Sequence, residues 1–248
     1  MEHVCHRKNG ASHVYAKLKH LLMNYRFKPN TQLHPAKLAG RLKVSSTPVR
    51  EALHRLAGEH LLLSVPNKGF YAKALALDEM IELFVLSNVL LQHAIADSAS
   101  PQSATPSPPL SANLAGPLRA DDAQSVAQFI EETFGWVAGL SRNQSLSVMI
   151  KNFNDRTHYV RVLDLELNEG RSCLLQQTRS LFDNVRHHNR SEAIRNLQDQ
   201  LRANVASLPG LVKEGLVRSY AMIDSCNASD ERVACAAWLL DRYPSTLG

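Results

Sequence analysis

The sequence predicts a mainly α-helical protein, with an N-terminal winged helix-turn-helix followed by a C-terminal all-α antiparallel helical bundle. Residues 35–75 carry the signals of a short helix, a tight turn, a second helix rich in arginine and a hairpin. That order of elements is typical of a winged helix-turn-helix. Beyond the hairpin the chain shows helical periodicity and no strand signal, which indicates a bundle.

The charge distribution supports the same division into two domains, residues 1–77 and residues 78–248. The first 77 residues hold 13 lysines and arginines against three glutamates, whereas the rest of the chain holds 15 basic and 20 acidic residues. A basic N-terminal domain on an acidic C-terminal domain favours nucleic-acid binding by the first domain only.

The first helix is predicted over residues 13–27, after an arm at 1–11 that we expect to be frayed. Pro29 ends this helix, because proline cannot continue a helix and restricts the residue before it. Pro35 suits the first position of a second helix over 35–42, and a serine of the turn at 44–46 can cap a third helix over 48–59. The hairpin follows, with strands at 61–65 and 70–75 joined by a turn at 66–69.

The second domain is expected to begin with a helix over 78–98. Residues 98–118 contain five prolines and many small residues, a composition that predicts a long loop. Further helices are predicted at 121–140, 144–168, 171–188, 191–208 and 229–243.

Several classes of protein are not expected. No apolar run approaches the roughly 18 residues of a membrane helix, since Asn88, Gln92 and His93 interrupt Leu86–Ile95. The N-terminus lacks the apolar stretch of a secretory signal, which favours a cytoplasmic protein.

The four cysteines show no CxxC spacing, so neither a disulfide framework nor a zinc site is predicted. No catalytic motif is present, and the Asp155/His158 spacing equally suits an ordinary surface pair.

Residues 13–75 resemble the DNA-binding domain of the GntR family of bacterial transcription regulators. The resemblance is carried by Ser45, by the run Thr47-Pro48-Val49-Arg50-Glu51-Ala52-Leu53, by Arg55-Leu56 and by the wing Asn67-Lys68-Gly69-Phe70. The later helices are similar in number and length to the FadR-type (FCD) effector domain of that family, with Asn143-Gln144-Ser145-Leu146 after an apolar helix. The resemblance implies a homodimeric regulator, a repressor of transcription, that binds palindromic double-stranded DNA and responds to a small-molecule effector.

The residues expected at the DNA follow from position and chemistry. A helix N-terminus with hydroxyl groups can hold a phosphate, and an arginine one turn further can donate two hydrogen bonds to guanine. Glycine at the wing tip permits close approach to the sugar–phosphate chain, and lysine supplies charge. The predicted DNA-binding residues are Ser45, Ser46, Thr47, Pro48, Arg50, Glu51, Arg55, Lys68 and Gly69.

Three roles in this set stay open. Arg55 could reach either the backbone or a base, and Glu51 could orient Arg50 or Arg55 instead of touching DNA. Alternatively, both arginines are simply solvated on an exposed helix face.

The chain departs from the family pattern at three positions of this domain. Ser46 stands where the family usually has arginine, which removes one expected DNA contact. Lys43 and His60 stand where glycine is common, so either both residues adopt left-handed backbone conformations or the two turns differ.

The effector domain departs further. Many FCD domains hold a divalent metal through an aspartate and three histidines, and alignment places those positions at Ile130, Phe134, Thr178 and Gln200. None is a good ligand, so no metal and no cofactor is expected.

Residues that could hold an acidic effector are also changed. The family favours an arginine and a glutamate on the first effector-domain helix, where this chain has Ser87 and Leu91. Arg156 and Arg161 match the family's arginine pattern and are the predicted effector-binding residues. The alternative is that they form surface ion pairs with nearby acids, namely Asp155, Asp164 or Glu166.

Two regulatory hypotheses therefore remain. In the first, a ligand in the bundle modulates DNA binding. In the second, the chain has lost metal and metabolite sensing and is controlled by a protein that docks on the bundle or on the proline-rich loop.

Overall fold

The computed structural model describes residues 3–98, 122–167 and 171–224, with side chains from residue 11 onward except those of 171–172 and 222–224. The chain divides into two compact units. The first, the winged-helix unit, comprises the described residues 3–75 together with 214–224. The second, the helical unit, is Ala76–Lys213.

The winged-helix unit contains three helices and a small sheet. The helices are α1 (His3–Met23), α2 (Pro35–Leu42) and α3 (Ser46–Gly58). The strands β1 (Gln32–Leu33), β2 (Leu62–Val65) and β3 (Gly69–Ala72) form an antiparallel sheet in the order β1-β3-β2. The predicted winged helix-turn-helix is confirmed.

Two local predictions in this unit were wrong. The helix begins at His3, so the arm expected at residues 1–11 lies largely within α1. The predicted two-stranded hairpin is part of a three-stranded sheet, because β1 pairs with β3 through Leu33 and Phe70. A strand of two residues is too short to display alternation, which explains why the sequence pattern did not indicate it.

The core of this unit lies between α1, α3 and the sheet. Leu18, Leu53 and Leu56 are fully buried there, and Phe70 covers them from β3. The buried apolar side chains of α1 thus pack against α3, and this packing fixes which face of α3 remains at the surface.

The turns that follow α2 and α3 contain Lys43 and His60, at φ +53° and +60°. After each residue the chain closes with the six-residue hydrogen bond of a Schellman motif, from Val44 to Ala39 and from Leu61 to Leu56. Glycine is the usual residue in this left-handed conformation, because a Cβ there costs about 1–2 kcal/mol. Of the two conformations considered from the sequence, the left-handed one is present at both positions.

The helical unit consists of α4 (Leu77–Asp97), α5 (Ala123–Leu140), α6 (Gln144–Leu167), α7 (Arg171–Arg186) and the part of α8 (Arg190–Asp224) up to Lys213. The described part of this unit contains no strand. Phe153 of α6 contacts Phe84 of α4 and Phe134 of α5. Glu79 pairs with Arg156 whereas Phe84 contacts Phe153, and Glu131 pairs with Arg161 whereas Phe134 contacts Phe153. Later residues of α4 and α5 thus meet earlier residues of α6, so α6 runs antiparallel to both helices.

The predicted helix end at Leu208 was wrong, because α8 continues through Pro209 to Asp224. A proline removes one helical hydrogen bond and usually kinks or ends a helix. Here Leu208, Leu211 and Val212 are buried on either side of it, and their packing holds the helix together. The predicted loop at 98–118 and helix at 229–243 lie outside the described residues.

In the described part of the chain, one helix, α4, is long and apolar enough to cross a membrane by length and composition, with a mean hydropathy of 1.3 over 18 residues. Asn88, Gln92 and His93 interrupt its apolar runs, but the mean hydropathy over 18 residues is still 1.3. Met80, Leu91 and Ile95 of this helix are buried in the core of the helical unit. The core helices of water-soluble bundles pass the same test.

Candidate nucleic-acid interface

The outer face of α3 carries the predicted DNA-binding side chains. Val49, Leu53 and Leu56 are buried, while Arg50 and Arg55 are exposed between them. The 3.6-residue period of a helix produces this separation. Glu51 and the three residues Ser45, Ser46 and Thr47 are also exposed, and Pro48 is half-buried.

The N-terminus of α3 is open to a ligand. Ser45 is the N-cap residue, with extended backbone angles, but its side chain forms no capping hydrogen bond. Ser46 is the first residue of α3, so the helix begins two residues earlier than the sequence pattern indicated. Backbone N–H groups at an exposed helix start form a favourable environment for a phosphate, and Thr47 adds a hydroxyl beside them.

The wing tip is a braced turn between β2 and β3. The N–H of Lys68 donates to the carbonyl of Val65 at 3.0 Å, and Asn67 has φ +61°. The carbonyl of Lys68 accepts hydrogen bonds from Gln32 Nε2 at 2.6 Å and from the Tyr71 hydroxyl at 3.3 Å. Gly69 follows at φ +93°, a conformation that favours glycine. The backbone of the tip is therefore fixed, while the Lys68 side chain is exposed.

Arg55 belongs to a cluster of four side chains, here named the Arg55 cluster. Its members are Tyr15 and Lys19 of α1, Arg55 of α3, and Glu59, the C-cap residue of α3. The Arg55 guanidinium carbon lies 3.9 Å from the centre of the Tyr15 ring, and Arg55 Nε donates to Glu59 Oε1 at 3.2 Å. The Tyr15 hydroxyl lies 2.7 and 2.8 Å from the two carboxylate oxygens of Glu59. Lys19 Nζ lies 3.1 Å from Glu59 Oε2.

The Arg55 cluster corrects one sequence interpretation. Glu51 was a candidate for orienting Arg55, but the carboxylate that contacts Arg55 is Glu59. The spacing of four residues between Arg55 and Glu59 could have indicated this pair. Tyr15 lies 44 residues from Glu59 in sequence, and no local pattern would have found it.

Electrostatics within the cluster favour a charged Glu59. Burial alone would raise the pKa of this carboxyl, but the hydrogen bonds from Tyr15 and Lys19 outweigh burial and hold the pKa below its ordinary value. Burial and the hydrogen bond to Glu59 raise the pKa of Tyr15, so its hydroxyl keeps its proton and donates it to the carboxylate.

The predicted effector-binding arginines have partners that were not predicted. Arg156 forms an ion pair with Glu79 of α4. Arg161, only 4% exposed, lies 2.6 Å from Glu131 of α5 through Nη1 and donates to the Thr157 hydroxyl at 3.1 Å. The two ion pairs join different helices of the unit, in place of the surface pairs with Asp155, Asp164 or Glu166 that were the alternative.

Glu131 is the centre of a buried charge group. It also lies 2.8 Å from His158 Nδ1. Burial would raise the pKa of Glu131, but His158 and Arg161 together lower it below the ordinary value. Burial lowers the pKa of Arg161, and Glu131 opposes that change. The arrangement is an internal ion pair rather than an open anion site.

A small cavity lies between α4, α5, α6, α7 and α8 inside the helical unit. Its volume is about 20 Å³, which is room for about one water molecule. Arg161 lines it and Arg156 does not. The lining is Phe84, Ile130, Phe134, Val160, Arg161, Asp164, Leu174, Thr178, Gln200, Asn204, Ser207, Leu208 and Leu211.

The four positions aligned with metal ligands all line this cavity, but their chemistry does not fit a divalent cation. Ile130 and Phe134 have no donor atoms, and the Thr178 hydroxyl donates to the Leu174 carbonyl at 2.9 Å. The buried Nε2 of Gln200 has no hydrogen-bond partner in the described structure. No group of three or more His, Cys, Asp and Glu residues suited to a metal occurs among the residues described.

The fold and the exposed face of α3 define a DNA-binding transcription regulator of the winged-helix class. Comparisons agree: residues 11–72 match the model of the bacterial regulatory proteins of the gntR family. A relative from Aminobacter aminovorans, the Nta operon transcriptional regulator, is 30% identical over 149 residues, covering 58% of this chain and 70% of the relative. The chain belongs to the GntR family.

Two further proteins extend the comparison over most of the chain. The HTH-type transcriptional regulator YdhC of Bacillus subtilis is 23% identical over 208 residues, covering 81% of this chain and 92% of the relative. The solved structure of E. coli McbR/YncC superposes with a TM-score of 0.55 at 20% identity, covering 81% of this chain and 97% of that chain. The curated relatives are transcriptional regulators and not enzymes, which confirms the prediction of a non-catalytic function.

Proposed function

We propose that the protein is a homodimeric repressor of the FadR-type (FCD) subfamily that binds a palindromic operator. Residues 1–77 form the DNA-binding domain, and residues 78–248 form the domain for dimerisation and effector binding. Each α3 enters the major groove of one half-site, and the wing contacts the neighbouring backbone. The protein acts on chromosomal DNA in the bacterial cytoplasm.

The exposed face of α3 is the observation that supports this proposal most strongly. Thr47 at the helix start supplies a phosphate contact, and Arg50, one turn further, supplies two donors for a guanine edge. Lys68 at the braced wing tip supplies a second phosphate contact. Neither Arg50 nor Lys68 is held by a carboxylate within the described structure.

Dimerisation is supported by an exposed apolar stripe on α4. Val85, Leu86 and Val89 are 43%, 45% and 58% exposed, and their spacing places them on one helix face. Apolar side chains grouped in this way at a surface are typical of protein interfaces. Two copies joined through the helical domain would present two α3 helices to a two-fold symmetric site.

The candidate place for a small molecule is the cavity around Gln200, whose buried Nε2 has no hydrogen-bond partner in the described structure. A cavity of about 20 Å³ has to enlarge before it admits a metabolite. This small volume favours the second hypothesis, in which a partner protein controls the regulator. Thermal-shift measurements with metabolites and divalent metals distinguish the two, because a ligand that binds only the folded state raises Tm.

The DNA-binding proposal is tested by fluorescence anisotropy with a fragment of the protein's own promoter region. We expect Kd to rise steeply with salt, because each phosphate contact displaces counterions. Arg50→Ala should weaken binding roughly ten- to hundredfold, the usual discrimination of a two-bond contact to guanine.

Arg202→Ala is the matched control, because this arginine is exposed on α8 of the helical unit, with 74% of its side chain accessible. It should bind DNA like the wild type. Equal binding by wild type and Arg50→Ala at low salt, or no binding to any neighbouring intergenic fragment, would overturn the proposal.

A further inference from the structure

The Arg55 cluster holds the Arg55 side chain from two sides. The Tyr15 ring lies against the face of the guanidinium at 3.9 Å, and Glu59 accepts the hydrogen bond from Nε at 3.2 Å. Stacking on an aromatic ring and a hydrogen bond to a carboxylate are the two contacts that best fix an arginine. The side chain is nevertheless 65% exposed.

The contacts of Arg55 leave its outer end available. They use Nε and the face of the guanidinium plane, and the two terminal amino groups form no hydrogen bond among the described residues. A guanidinium presented in this way offers a pair of donors suited to the oxygens of a phosphate. Arg55 is exposed, as Arg50 is, and the five-residue separation places the two side chains about 140° apart around the axis of α3.

Glu59 is fixed by α1, so the cluster links two helices. The Tyr15 hydroxyl donates to its carboxylate, and Lys19 contacts both Glu59 and the Tyr15 oxygen, at 3.1 and 3.2 Å. An arginine side chain that is ordered before binding loses less conformational entropy when it meets DNA. The cluster thus orders Arg55 in the free protein.

We propose that Tyr15 and Glu59 are positioning residues that hold Arg55 ready to bind a backbone phosphate of the operator. The inference rests on the proposed function, since it presupposes that α3 contacts DNA. It assigns Arg55 to the phosphate rather than to a base, and it gives α1 a part in DNA affinity although no residue of the cluster on α1 touches the DNA.

A double-mutant cycle on DNA affinity tests the proposal with the full-length protein. Tyr15→Phe keeps the ring and the net charge and removes only the hydroxyl that fixes Glu59. We expect it to weaken operator binding about three- to tenfold, the usual effect of losing one hydrogen bond. In an Arg55→Ala background the same change should alter Kd by less than about twofold, because the residue that it positions is gone. Tyr15→Leu, which also removes the ring, should weaken binding more.

Two readouts test whether Arg55 contacts a phosphate. Arg55→Ala should lower the slope of log Kd against log salt by about one unit and weaken operator and unrelated DNA alike, as expected for a lost phosphate contact. All variants are measured below their melting transitions, and Tyr159→Phe, the same change in the helical unit, serves as the control for Tyr15→Phe.

The results distinguish a failure of this positioning role from a failure of the proposed DNA-binding function. If Arg50→Ala weakens binding as expected while Tyr15→Phe lowers Tm without changing Kd, α3 contacts DNA and the positioning role is wrong. An equal effect of Tyr15→Phe with and without Arg55 also overturns it. A loss of specificity at one base pair in Arg55→Ala would contradict the phosphate assignment.

Discussion

Arg50 and Arg55 of the winged-helix unit differ from Arg161 of the helical unit in exposure and in the partners that hold them. In the winged-helix unit, Arg50 and Arg55 lie on an exposed helix face, and even the partners of Arg55 leave its outer end accessible. In the helical unit, Arg161 is 4% exposed and is held by Glu131 and Thr157. Arginine is therefore accessible to a ligand at Arg50 and Arg55 and is a structural group at Arg161. Burial and prior pairing decide which role is open, and residue type alone does not.

The largest expected effect tests whether Arg161 is a structural residue of the helical unit. Arg161→Ala removes one partner of a buried pair and leaves Glu131 without its main counter-charge. The free energy of unfolding should fall by about 3–5 kcal/mol, measured by urea denaturation. The folded variant should still bind DNA with nearly the wild-type Kd.

Arg202→Ala is the corresponding exposed control and should change the free energy of unfolding by less than about 0.5 kcal/mol. A small loss in Arg161→Ala, together with a large loss of DNA affinity, would reverse the assignment of roles between the two units.

A smaller effect is a pH dependence that originates at Glu131. Its pKa in the folded protein lies below the ordinary value of 4.5. A lowered pKa contributes stability at pH values above the unfolded-state pKa, and that stability is lost as pH falls through the folded-state pKa. The difference in unfolding free energy between wild type and Glu131→Gln should therefore shrink as pH falls below about 4.5.

Glu82→Gln provides the comparison for this pH series, because Glu82 is exposed on α4. Its profile should run parallel to that of the wild type. A gap between wild type and Glu131→Gln that widens in acid would contradict the ion-pair account.

The smallest expected effect concerns the backbone of the winged-helix unit. His60→Gly should raise the free energy of unfolding by about 0.5–1 kcal/mol, because relief of the left-handed strain exceeds the entropy cost of glycine. Ala57→Gly, three residues earlier in the right-handed helix, should instead lower it by about 1 kcal/mol. Equal losses in both variants would show that His60 is not strained.

The winged-helix unit was largely predictable because its signals are local. Pro35 at a helix start and the Pro-Asn-Lys-Gly turn each determine the conformation of their own few residues. The bounds predicted for α2 agree with the structure, and the exposed set on α3 follows from helical periodicity. The additional strand β1 was missed because its two residues contain no pattern.

The contacts between elements could not be predicted in the same way. Glu79 and Glu131 lie 77 and 30 residues from the arginines that they contact, so the spacing within α6 favoured closer but wrong partners. Pro209 indicated a helix end, yet buried neighbours on both sides carry α8 past it. In both cases tertiary packing outweighs the local signal.

The central claim is that two exposed α3 helices bind successive major grooves of one operator. Hydroxyl-radical footprinting of the full-length protein on its promoter fragment tests it most directly. We predict two protected stretches related by a two-fold axis, with centres about 10 base pairs or a multiple of that spacing apart, and both absent with Arg50→Ala. A single asymmetric stretch, or an unchanged footprint with Arg50→Ala, would contradict the account.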